Sequence, residues 1–130
     1  DFDNDGDLDL LLVNFYKNVV LYRNNTNDRN WLRVKPIGTR SSIDGNGARV
    51  QVFDTRGGRR RLVGTRFIQA GAGYGRSSPL EAHFGLGRNA ADAYRVEVYF
   101  PATKTTVVRQ DVKRGQRIEL REKDASSRRK

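Results

Sequence analysis

From residue 30 onward the chain reads as strand after strand. Trp31-Leu32-Arg33-Val34-Lys35 alternates apolar and polar side chains, placing Leu32 and Val34 on one face and Arg33 and Lys35 on the other. The same period of two returns in Ala48–Asp54, Arg60–Gln69, Leu80–Gly87, Tyr94–Phe100, Thr105–Gln110 and Gln116–Leu120. In Tyr94–Phe100 it points Val96, Val98 and Phe100 inward. Turn signals separate these runs: Pro36 to Gly47 with its Asp44-Gly45 and Asn46-Gly47 pairs, Gly57-Gly58, the glycine-rich Ala70–Pro79, Arg88–Asp92, Pro101–Lys104 and Arg114-Gly115. No helical periodicity appears anywhere. The pattern predicts an all-β chain whose residues 30–121 form an antiparallel β-sandwich. Residues 122–130 are charged and lack large apolar side chains, so they are expected to be a frayed, disordered tail.

Residues 1–29 have a different character. Leu8-Asp9-Leu10-Leu11-Leu12-Val13 and Val19-Val20-Leu21-Tyr22 read as two short strands joined by Asn14–Asn18, and Arg23–Asn30 is a polar linker. The charge changes sign at the same place. Residues 1–30 carry six acids and three bases, net −3, whereas residues 31–130 carry nine acids and twenty-two bases, net +13, which together give the chain's +10.

With 130 residues and 36% hydrophobic side chains the chain can bury one ordinary core, or one core and part of a second. Its longest apolar runs are only a few residues, so no helical membrane span is expected. The absence of cysteine removes disulfides and thiolate metal sites and leaves the redox compartment open.

The densest chemistry lies at the start, Asp1-Phe2-Asp3-Asn4-Asp5-Gly6-Asp7-Leu8-Asp9. Two carboxylates about 6 Å apart repel by roughly 0.7 kcal/mol even in water, so five on one short loop call for a counter-ion. Calcium takes six to eight oxygens from flexible loops, and a glycine at the sixth place permits the sharp turn. Asp1, Asp3, Asp5 and Asp9 fit that spacing as side-chain ligands, with Asp7 contributing its carbonyl. The alternative is a solvated acidic turn. An EF-hand is excluded, because its twelfth position needs Glu and here holds Leu12, with strands rather than helices on either side. The sequence opens on the first of these ligands and contains no Met, so we expect the C-terminal part of a longer chain.

The DxDxDGxxD spacing leading into an apolar strand resembles the calcium loop of FG-GAP (VCBS, integrin-alpha type) β-propeller repeats. Further on, Asn30-Trp31-Leu32, Gly38-Thr39-Arg40-Ser41-Ser42, Asp44-Gly45-Asn46-Gly47-Ala48-Arg49-Val50, Gly73-Tyr74, Ser77-Ser78, His83-Phe84-Gly85-Leu86-Gly87 and Val96-Glu97-Val98 resemble the ASPIC/UnbV domain. That domain follows propeller repeats in exported bacterial proteins and in vertebrate cartilage acidic proteins. Asn46 stands where the family often has an apolar residue, and no cysteine-rich extension is present, which points to a bacterial relative. The resemblance implies a calcium-binding, secreted or cell-envelope module of interaction or adhesion. Its partners would be the N-terminal propeller of the same chain and an extracellular protein or glycan.

The remaining chemistry is sparse. Arg59, Arg60, Arg61 and Arg66 are candidates for binding an acidic polysaccharide or another polyanion, against the alternative of a solvated outer face. No nucleic-acid motif accompanies them, so no specific nucleic-acid partner is expected. The glycine-rich Ala70–Pro79 lacks the following helix that a phosphate-cradling loop requires. Asn24-Asn25-Thr26 matches a glycosylation acceptor, a short pattern with many false matches. The single histidine, His83, shares a strand face with Glu81 and has no nucleophile or second metal-binding histidine near it in sequence, so no catalytic role is assigned.

Overall fold

The computed structural model describes residues 1–26, 28–73 and 76–124. Two short strands come first, β1 (Leu10–Leu12) and β2 (Val20–Tyr22), paired antiparallel with Leu11 opposite Leu21. Among the described residues nine more follow: β3 (Trp31–Ile37), β4 (Arg49–Asp54), β5 (Arg61–Phe67), β6 (Gly71–Gly73), β7 (Arg76–Ser77), β8 (Ala82–Gly85), β9 (Ala93–Phe100), β10 (Thr105–Lys113) and β11 (Gln116–Arg121). They build a four-stranded sheet in the order β10-β9-β4-β5 and a three-stranded sheet in the order β11-β3-β8, while β6 and β7 make a small ribbon.

The two larger sheets close on one core. Leu32, Val34 and Phe84 from the three-stranded sheet meet Val50, Val52, Val96, Val98, Phe100 and Val107 from the four-stranded sheet, all buried. Each such side chain contributes roughly 1.5–3 kcal/mol by leaving water. The alternation predicted for β3, β4 and β9 therefore selects the core face. Gly64 on β5 lets the sheets approach, because a Cβ there would lie 3.3 Å from the Phe84 ring.

Some details depart from the sequence pattern. Pro36, predicted to open a loop, is the buried sixth residue of β3. It is tolerated because β8 pairs with β3 only as far as Val34, so at Pro36 β3 has a neighbour only in β11. That neighbour runs parallel, with Ile118 beside Val34, whereas the other ladders are antiparallel. The crossover arises because β10 and β11 belong to opposite sheets, so the turn at Arg114-Gly115 carries the chain across the core rather than back along one sheet. β10 also extends beyond Gln110, through an irregularity between Arg109 and Val112 that keeps Val112 buried; Asp111 adopts a φ of 53° there.

The disordered tail expected from residue 122 does not begin there. Glu122 is buried and its carboxylate accepts hydrogen bonds from the backbone N–H groups of Thr39 (2.7 Å), Arg40 (2.7 Å) and Ser41 (2.9 Å), and from the hydroxyls of Ser41 (2.7 Å) and Thr103. Burial alone would raise this carboxyl. The Thr103 hydroxyl and the backbone donors outweigh it and hold Glu122 far below the ordinary carboxylate range. The loop Gly38–Ser42 is thus shaped as a cup around one carboxylate, and Gly38 is required in it: a Cβ there would lie 2.2 Å from the Ser42 carbonyl oxygen. Residues 125–130 of the predicted tail, and Tyr74 and Gly75 of the glycine-rich loop, lie outside the described residues.

Candidate metal centre and its seat on the sandwich

In the acidic loop the backbone folds back onto its own carboxylates. Asp5 N–H donates to Asp3 Oδ1 (3.3 Å), Asp7 N–H to Asp5 Oδ1 (2.9 Å) and Gly6 N–H to Asp1 Oδ1 (3.3 Å). Aspartate favours such local turns because its short side chain reaches the amide two residues on. Asn4 (φ 61°) and Gly6 (φ 96°) take the left-handed conformations that complete the coil. Asp9 bridges the ends, accepting from Phe2 N–H (2.7 Å) and, across the hairpin, from Asn24 N–H (2.8 Å). Those two N–H groups, Asn24's first, hold its carboxyl below the ordinary value, so it is charged at neutral pH.

The coil brings one carboxylate oxygen each of Asp1, Asp3 and Asp9 within 4.8 Å of one another. Two oxygens on opposite sides of a calcium ion at 2.3–2.6 Å would be about 4.6–5.2 Å apart, so the cluster has the span of a shared hard cation. Asp5 and Asp7 fall outside that group of three. Asp5 Oδ2 is nevertheless buried without a hydrogen-bond partner, an acceptor that a cation would satisfy. Asp7 is buried at the base of the loop. Asp3 Oδ2 lies 2.5 Å from the guanidinium of Arg23 as an ion pair. An all-oxygen, carboxylate-rich donor set suits calcium rather than zinc or copper.

The loop sits on the outer face of the three-stranded sheet, and this the spacing alone did not reveal. Gly6 lies against Trp31, where a Cβ would fall 1.8 Å from the indole Cε2. The Gly6 carbonyl meets His83 Nε2 at 2.8 Å, and the His83 and Trp31 rings stack with centroids 6.4 Å apart. Arg33 joins loop to sheet: its Nη1 lies 2.6 Å from Asp1 Oδ2 and its Nη2 2.7 Å from Glu81 Oε1, while Arg117 Nε donates to Glu81 Oε2 at 2.8 Å. Burial would raise the Glu81 carboxyl, but the Arg117 hydrogen bond and the Arg33 charge lower it overall. The register that puts Arg33 opposite His83 sets both side chains on one face beneath the loop. Sequence alternation had already placed Glu81 and His83 together; what they face is a tertiary fact.

Of the four candidate polyanion residues, three stay together. Arg59, Arg60 and Arg61 line one shallow pocket with Arg56 and Asp54 at the β4–β5 hairpin. Arg56 and Arg61 lie 2.7 and 3.1 Å from Asp54 Oδ2, and Arg56 above all drives that buried carboxyl far below its usual range. Arg60 covers the Phe53 ring at 4.4 Å and lies 3.3 Å from Glu97. Arg66 is elsewhere, packed over Phe84 at 5.3 Å and lining a groove of about 600 Å³ between the acidic loop and the sandwich. The hairpin arginines are therefore partly neutralised by Asp54 and Glu97, acids whose roles the sequence did not suggest.

Comparison with known proteins places these parts. The family described as ASPIC and UnbV matches residues 38–127, and an FG-GAP-like repeat matches residues 1–57. Cartilage acidic protein 1 of mouse is 38% identical over 108 residues, covering 80% of this chain and 16% of the relative; the human protein is 37% identical over 108 residues, covering 80% and 15%. The chain thus spans less than a fifth of the length of these relatives. No solved structure matches it.

Proposed function

Because the chain belongs to the ASPIC and UnbV family, we propose that it is a non-catalytic, calcium-binding interaction module of a secreted or cell-envelope protein, acting in adhesion. The observations that carry this reading are the meeting of Asp1, Asp3 and Asp9 within 4.8 Å of one another and, in the same loop, a buried Asp5 oxygen without a hydrogen-bond partner. Asp1, Asp3, Asp5, Asp9 and the Asp7 carbonyl would hold the ion, which would supply the positive charge that lets these carboxylates share one loop. Arg33, His83 and Trp31 then seat that loop on the sandwich, so the ion's role is structural: it fixes the preceding repeat against the basic domain. The FG-GAP-like match and the apolar side chains exposed on β1 and β2 support a further partner, the propeller of the same chain. An extracellular protein or glycan would be the external ligand.

A thermal melt with calcium and with chelator tests the ion. Binding at a hundredfold excess over Kd stabilises by about 2.7 kcal/mol, a rise of roughly 10 °C for a chain of this size. Asp1→Asn with Asp9→Asn should abolish the rise. An identical midpoint in calcium and chelator rejects the site.

A further inference from the structure

A second groove, of about 1,070 Å³, lies over the outer face of the four-stranded sheet, away from the acidic loop. Among the described residues five cations reach it from five places in the chain: Arg40 from the loop after β3, Arg60 from the β4–β5 hairpin, Arg95 from β9, Lys104 from the turn before β10, and Lys123 from the helical turn after β11. Among the described residues only two acids line it, and both are already engaged. Glu97 takes a hydrogen bond from Arg95 Nε at 2.6 Å and lies 3.3 Å from Arg60, while Glu122 is withdrawn into the cup of Thr39, Arg40 and Ser41 backbone amides. Among the described residues no carboxylate stands within ion-pair distance of the Arg40, Lys104 or Lys123 side chains, and all three are exposed.

Lys104 sharpens the point. It holds a left-handed backbone, φ 54°, with its N–H bonded to the Pro101 carbonyl at 3.3 Å. That conformation suits glycine or asparagine, so a lysine there is a strained choice in a turn that aims its charge at the groove.

We propose that this groove binds a polysaccharide bearing sulfate or carboxylate groups. The three unpaired cations supply the attraction, and Thr105, Thr106 and Gln110 along the groove offer hydroxyl and amide partners for sugar hydroxyls. Single-stranded nucleic acid is disfavoured because, among the described residues, no aromatic side chain lines the groove to stack a base. A lipid surface is disfavoured because the cations converge in a concavity where, among the described residues, Val108 is the only exposed large apolar side chain. The site differs from the arginines singled out by sequence, since only Arg60 of those four lines it. It does not depend on the calcium site.

The test compares Arg40→Gln/Lys104→Asn/Lys123→Gln with Arg59→Gln/Arg61→Gln on immobilised heparin and on polygalacturonate, which separate sulfate from carboxylate recognition. Asparagine at 104 keeps the left-handed turn, and a melt confirms that each variant folds. The groove variant should bind the retained polysaccharide about tenfold or more weakly, with a shallower dependence on salt, while the hairpin variant binds as the parent does. Failure of the parent to bind either polymer, equal binding by the groove variant, or an equal loss in the hairpin variant overturns the assignment. Tighter binding to duplex DNA or to phosphatidylserine vesicles than to either polysaccharide overturns it as well.

Discussion

The leucines of β1 and the valines of β4 are comparably apolar, yet they meet opposite fates. Val50 and Val52 are fully buried, whereas Leu10 and Leu11 are 60% and 59% exposed and Phe15 in the adjoining turn is 85% exposed. β4 alternates, so one face finds the core and the other takes Gln51 and Arg49 to the surface. β1 is apolar on both faces, a pattern suited to a strand covered on both sides. A two-stranded ribbon standing alone is marginal in water. What holds the first region to the second is polar, Asp1 on Arg33 and the Gly6 carbonyl on His83, together with the packing of Gly6 on the Trp31 ring. The sandwich carries its own stability; the acidic loop and hairpin are stable only through what they touch.

Four substitutions probe that contrast. Phe84→Ala empties the centre of the sandwich and should cost about 3–5 kcal/mol, read as a lower urea midpoint; a loss below 1 kcal/mol would show that the two sheets do not share this core. Glu122→Gln weakens the cup and should cost about 1–3 kcal/mol at neutral pH, the range for leaving buried donors poorly met. Its pH dependence follows from the sign of the shift. The folded carboxyl lies below its unfolded value of 4.5, so its stabilisation is complete above that pH and disappears as pH falls through the folded value. Acid unfolding should therefore be shallower below pH 4.5 in the variant, and parallel curves would remove Glu122 as a latch.

Gly6→Ala drives a Cβ into the Trp31 indole at a positive φ. Overpacking of this kind costs roughly 1–3 kcal/mol, but the loop has freedom to lift away, so the cost falls on docking. We expect red-shifted Trp31 fluorescence and a smaller calcium-dependent rise in melting temperature, with the sandwich's chelator-treated midpoint nearly unchanged. An unaltered emission spectrum would mean that the loop does not rest on Trp31. Leu11→Ala should be the mildest, within about 0.5 kcal/mol, since the side chain gives up little burial in this chain; a core-sized loss in the same chain would show that the hairpin is covered.

The sandwich strands were legible because alternation is a local signal: Leu32, Val34, Val96, Val98 and Phe100 each lie buried on the predicted face. The acidic loop was legible because its coil is made by side chains reaching amides two to seven residues away. What escaped notice depends on distant pairing. The parallel partnership of β11 with β3 has no marker in either strand, and Glu122 looked like part of a charged tail because the backbone amides that hold it lie more than eighty residues earlier. Arg33 and Glu81 read as surface charges until register placed them beneath Asp1.

The pairing of β11 with β3 also bears on synthesis and turnover. The first strand of the sandwich waits for the last, so during translation β3 emerges with an open edge and its inner Leu32 and Val34 lacking one neighbour. Unpaired edges invite pairing with another chain, and distant pairings form slowly. A protease cut between β10 and β11 would recreate that open edge, making aggregation the expected fate of a clipped molecule.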